Sequence, residues 1–138
     1  MYALAASRGR RRKIGRDPFD GSLDRLVVDR SVDNRRIVVT HSAVPTTAPF
    51  PHVALVSSTV GAQLASVLAA YCRAPVLTVS DLDRFANRGG VIGLVEQEGA
   101  LRFAINQTAA SQARLQVSSQ LFHLAVPLFS AVSPCGAR

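Results

Sequence analysis

The stretch VALVSSTVGAQLASVLAAYCRAPVLTVS, residues 53–80, decides the fold. Val53-Ala-Leu-Val56 and Val76-Leu-Thr-Val79 are short continuous apolar runs, the pattern of strands buried on both faces of a sheet. Between them Leu64, Val67, Leu68 and Tyr71 recur at i, i+3, i+4 and i+7, which is one face of a helix. Ser57, Ser58 and Thr59 offer hydroxyls to cap that helix, and Ala74-Pro75 stops it. Strand, helix, strand in this order is a βαβ unit, which predicts a right-handed crossover and a parallel pair.

Working toward the N-terminus, three prolines, Pro45, Pro49 and Pro51, make a loop, and Arg36-Ile-Val-Val-Thr40 is rich in β-branched residues and reads as a strand. Ser31 to Asn34 reads as a turn. Asp17-Pro18-Phe19 supplies a capping Asp and a Pro at the first helical position, and Leu23, Leu26 and Val27 follow at helical spacing, so a short amphipathic helix is expected over about residues 18–29. Residues 1–13 are rich in Gly, Ser and Arg without periodicity and are expected to be a disordered basic extension.

Working toward the C-terminus, Asp81 to Asn87 reads as one short helix broken by Arg88-Gly89-Gly90. Val91 to Val95 and Leu101 to Ile105 read as strands joined by Gln97-Glu98-Gly99, with Gly supplying a left-handed position. In the second strand Leu101, Phe103 and Ile105 alternate with Arg102 and Ala104, so the first three are expected on the packed face. Asn106 caps a helix of about residues 107–114. A last helix, about 118–128, places Leu121, Leu124, Ala125 and Leu128 on one face and ends or kinks at Pro127. The expected architecture is one α/β domain over residues 14–130: a mixed, mostly parallel sheet, helices on both faces, and a β-hairpin in the C-terminal half. Residues 131–138 are expected to be frayed.

Composition agrees with a single domain. The chain has 138 residues, 48% of them hydrophobic and 18% charged, which excludes wholesale disorder. The formal net charge is +7, with 16 cations, six of which (Arg8, Arg10, Arg11, Arg12, Lys13 and Arg16) lie in the first 16 residues without an acid. The remainder holds ten cations against nine acids, so the body is nearly neutral. Such an arginine cluster could hold phosphates electrostatically, but no aromatic is interleaved to stack a base. No run approaches the roughly 20 apolar residues of a membrane-spanning helix. The opening residues also lack the order of a secretory signal, because the cations follow a short apolar stretch.

The residues give little support to catalysis. His41, His52 and His123 have no metal-ligand spacing, and Cys72 and Cys135 are too few and too far apart in sequence to argue for a zinc site or a disulfide framework. No GxSxG elbow is present; Ser57 and Ser58 follow a strand and precede a helix, but a hydrolase would need one of the three histidines beside them. Gly89-Gly90 lacks the Lys and Ser/Thr of a phosphate-binding loop, and Asp81 and Asp83 serve as helix caps. One positional argument remains. Ligands of open α/β sheets bind beyond the carboxyl ends of the strands, which here carry Ser57, Ser58, Thr59, Ser80 and Asp81, and a helix N-terminus after Thr59 would favour an anion. No metal or cofactor is expected.

Several blocks in series resemble the YfiR-like family: Gly15-Arg-Asp17-Pro18-Phe19 with Leu23, Pro75-Val-Leu-Thr-Val-Ser-Asp81, Phe85-Ala86, Gly89-Gly90 with Ile92-Gly93, Arg102-Phe-Ala-Ile-Asn106, Ala109-Ala110, Leu115, and Val117-Ser118-Ser119 with Leu121 and Leu124-Ala125. Order and spacing match from about Gly15 to Ala125. The resemblance implies an exported, periplasmic α/β domain without catalytic activity, often a homodimer, that regulates a membrane-bound diguanylate cyclase or another sensor protein. It adds Gly89, Gly90 and Asn106 to the strand-end residues as candidates for ligand or partner binding. The alternative is binding of nucleic acid or an acidic surface through Arg8 to Arg16.

The chain departs from the family in two places. A hydrophobic strand carrying a cysteine just before Gly15 is replaced by Arg10-Arg-Arg-Lys-Ile14, and a second family cysteine is replaced by Pro51 beside His52. The family disulfide between those positions therefore cannot form. These departures lead us to expect a truncated or mis-started member lacking signal peptide, first helix and first strand, which would be cytoplasmic if Met1 is the true start.

Overall fold

The computed structural model describes residues 2–6, 31–32, 34–42, 44–45, 50–128 and 130–135. The helix expected over 18–29 and the arginine cluster Arg8 to Arg16 lie outside the described residues. Seven strands are described: β1 (Tyr2–Ala6), β2 (Ser31–Val32), β3 (Arg35–His41), β4 (Val53–Val56), β5 (Leu77–Ser80), β6 (Ile92–Gln97) and β7 (Ala100–Ile105). Three α-helices accompany them, α1 (Leu64–Ala70), α2 (Gln107–Gln112) and α3 (Ser119–Leu124), and a 3-10 turn over Ser58–Gln63 leads into α1. The strands form one sheet in the order β2-β3-β1-β4-β5-β6-β7.

The βαβ unit is present, with β4 and β5 parallel in the register Val53↔Leu77 to Val56↔Ser80. β6 extends the parallel part through Val79↔Ile92 and Ser80↔Gly93. Antiparallel strands flank this centre: β1 joins β4 on one side and the β6–β7 hairpin closes the other. The result is a mixed α/β sheet with the expected C-terminal-half hairpin.

Residues 2–6, expected to be disordered, form β1 instead, paired to β3 along its whole length and to β4 over Tyr2↔Leu55 to Leu4↔Val53. Neighbours on both sides decide this, since strand preference depends more on cross-strand context than on the residues themselves. The sheet is therefore not left open between β3 and β4, as loss of a strand there would require. Ser31 to Asn34, read as a turn, splits into β2 and a turn at Asn34, whose φ is 62°.

Burial in β4 and β5 alternates, so neither strand is buried on both faces. Ala54 and Val56 face α1 and pack with Leu64, Val67, Leu68 and Tyr71, the four residues at helical spacing, all buried. On the opposite face Leu77 and Ile92 pack with Leu115 and Val117 against Val91, Ala109 and Ala110, so α2 serves that side. Two rules read from sequence fail locally. Asp81 to Asn87 forms successive turns and no helix, because Arg84 takes a left-handed φ of 56° and the Leu82 amide is captured by the Ser80 hydroxyl. The last helix stops at Leu124, with Ala125 extended, and Leu124 is exposed.

The C-terminal residues 130–135 are not frayed. Cys135 is joined to Cys72, just past the end of α1, by a disulfide. Val132 donates its amide to the Asn87 carbonyl at 2.9 Å and the Ser133 hydroxyl donates to Gln112 Oε1 at 2.8 Å. Held by these links, this segment lies as a strap against Gly89, where an added Cβ would stand 3.1 Å from Pro134 Cα.

Candidate functional site

The strand ends of the βαβ unit build the candidate site. β4 ends at Val56 and β5 at Ser80, side by side in the parallel register. The Ser80 hydroxyl donates to the Val56 carbonyl at 2.6 Å and accepts from the Leu82 amide at 3.0 Å, so it fastens the two ends together. Beyond them lies an open cup of about 210 Å³. Leu55, Val79, Leu94 and Leu101 form its apolar floor; of its polar lining residues Ser57, Ser80 and Asp81, the two serines are buried and Asp81 is exposed. The floor residues belong to the sheet face opposite α1, because alternation sets Leu55 and Val79 against the buried Val56 and Ser80.

Of the residues singled out from sequence, Ser57, Ser80 and Asp81 meet at this cup. The backbone of Ser58 and Thr59 follows directly in the 3-10 turn, whose first bond runs from the Val60 amide to the Ser57 carbonyl at 3.1 Å. The expected hydroxyl cap on the helix is not formed: α1 begins only at Leu64, its N-cap is Gln63, and no side chain bonds there. The helix N-terminus therefore stands at Leu64, with the 3-10 turn between it and the strand end.

Gly89, Gly90 and Asn106 stand elsewhere. Both glycines are buried, and a Cβ at Gly90 would overlap the Phe85 ring, so their smallness serves packing. Asn106 is 0% exposed; its Oδ1 accepts from the Ala109 amide at 3.0 Å, and its Nδ2 donates to the carbonyls of Ala86 at 2.8 Å and Val132 at 3.0 Å. This side chain has its partners inside the protein. Its capping role, read from sequence, holds.

Sequence reading missed the apolar floor, although its signal was present. Leu101 was placed on a packed face by alternation, yet it is 73% exposed, since β7 is the edge strand and its end extends past the core. His52 precedes β4 while Ser57 follows it, so five residues of extended chain separate them by roughly 16 Å. His41 ends β3 at the level of Leu55, with β1 between them. His123 lies on α3. Among the described residues no group of three His, Cys, Asp or Glu side chains could hold a metal ion, and no helix is long and apolar enough to cross a membrane.

Comparison with known proteins gives one match. No curated protein and no solved structure matches the chain. The family described as YfiR/HmsC-like matches residues 12–126, most of the chain and every described strand except β1. By that match the chain belongs to the YfiR/HmsC-like family.

Proposed function

We propose that this chain is a non-enzymatic regulatory protein that binds a membrane-bound signalling partner, such as a diguanylate cyclase, from the periplasmic side. Membership in the YfiR/HmsC-like family, a family of periplasmic regulators, is the observation that carries this reading. The Cys72–Cys135 disulfide supports the compartment, because disulfides form and persist in oxidising spaces such as the bacterial periplasm. The strand-end chemistry supports binding over catalysis: the Ser80 hydroxyl is occupied as both donor and acceptor, and the Asn106 amide is consumed by internal bonds.

The test is to delete the gene in its host and measure cellular cyclic di-GMP and the membrane proteins that crosslink to the exported chain. A rise in cyclic di-GMP, reversed by the wild-type chain and accompanied by capture of a membrane cyclase, is the expected result. An unchanged level with no captured membrane protein would sink the reading. To test binding by the arginine cluster in parallel, Arg8, Arg10, Arg11 and Arg12 should be changed to Gln; deleting residues 1–13 would also remove β1 from the sheet.

A further inference from the structure

The cup beyond the strand ends has a chemical character that regulation of a membrane partner does not specify. Its volume of about 210 Å³ is below the ~300–1,000 Å³ of pockets for drug-sized ligands, so its occupant is compact. Its floor of Leu55, Val79, Leu94 and Leu101 is apolar surface left partly in water, and covering it is favourable in proportion to area.

Charge selects among compact ligands. Asp81, the residue after β5, lines the cup, and alternation along β6 puts Glu96 on the face of Leu94. Glu96 is paired directly with Leu101 across the β6–β7 ladder. Asp81 is exposed, and among the described residues nothing bonds or pairs with its carboxylate. Arg102 pairs with Val95 and so lies on the other face, and Arg84 belongs to the turn whose Leu82 and Phe85 pack on the α1 side. From residue 34 onward the chain has four acids, Asp81, Asp83, Glu96 and Glu98, and each lies within three residues in sequence of the carboxyl end of β5 or β6. An anionic ligand is repelled there, and a neutral apolar one leaves the carboxylates unused.

We propose that this cup binds a compact organic cation, a protonated primary amine carried on a small alkyl or aryl body. The body lies on Leu55, Val79, Leu94 and Leu101, and the ammonium group stands between Asp81 and Glu96. The proposal does not depend on which membrane partner the chain regulates, and its test needs no partner.

The probe is 2-phenylethylammonium chloride, titrated into the full chain carrying labelled Leu and Val methyl groups, with 2-phenylethanol and 3-phenylpropanoate as neutral and anionic matches. Saturable shifts confined to Leu55, Val79, Leu94 and Leu101 are expected with the amine, weaker binding with the alcohol, and none with the acid. Asp81→Asn should lower amine affinity roughly three- to tenfold and leave the alcohol unchanged, as suits a charge pair at a solvent-exposed rim. Glu96→Gln provides an independent variant at an exposed position. Absence of saturable shifts at the four floor residues, equal affinity for amine and alcohol, or unchanged amine affinity in both variants would each overturn the proposal.

Discussion

Asn106 joins three segments through one amide: the start of α2, the turn that ends at Gly89, and the C-terminal strap. Replacing it with Ala leaves the carbonyls of the buried Ala86 and of Val132, and one helix amide, without that partner. Asn106→Ala should therefore lose about 2–4 kcal/mol of stability, read from urea unfolding. Asn106→Asp should be worse, although it keeps the capping oxygen, because a buried carboxylate would face the carbonyls of Ala86 and Val132. If the Asp variant proved the more stable of the two, the donors would not be what matters. Half of this role was legible in the sequence. A cap is a local pattern, so Asn before a helix announces it; the donors reach partners 20 and 26 residues away, and no spacing rule encodes that distance.

At the scale of elements, the β6–β7 hairpin turns through Glu98 and Gly99, with φ of 53° and 75°. Two consecutive left-handed residues make a type I′ turn, for which Asn-Gly is the favoured pair. Glu98→Asn should thus raise stability by about 0.5–1 kcal/mol, seen as a higher melting temperature, since Asn tolerates the left-handed region better than Glu. Gly99 made this turn readable in advance. The segment after β5 was misread because Asp81 to Asn87 has the composition of a helix, while its conformation is set by a hydroxyl one residue earlier and a left-handed Arg84. Continuous apolar runs also misled: Val53 to Val56 reads the same whether one face or both are covered, and here the second face forms the floor of the cup.

For the molecule as a whole, the disulfide joins residues separated by 63 positions, and by chain entropy alone a closed loop of that size stabilises the folded state by about 4 kcal/mol. Cys72→Ser combined with Cys135→Ser should lower the urea midpoint accordingly, and adding reductant to the wild-type chain should reproduce the loss. A reductant that left the midpoint unchanged would contradict it. Neither this link nor β1 was legible beforehand, for a shared reason. Two cysteines do not state that their Cα atoms end 5.1 Å apart, and Tyr2 to Ala6 becomes a strand through partners 31 to 53 positions away in the chain, at β3 and β4. Both are consequences of assembly.

The same link changes what a protease can accomplish. Everything from β5 to the strap, including the exposed Glu98-Gly99 turn, lies inside the ring closed between Cys72 and Cys135. A single cut anywhere in that ring opens it without releasing a fragment, so the nicked protein gains only the mass of one water and keeps both halves of the cup until the disulfide is reduced.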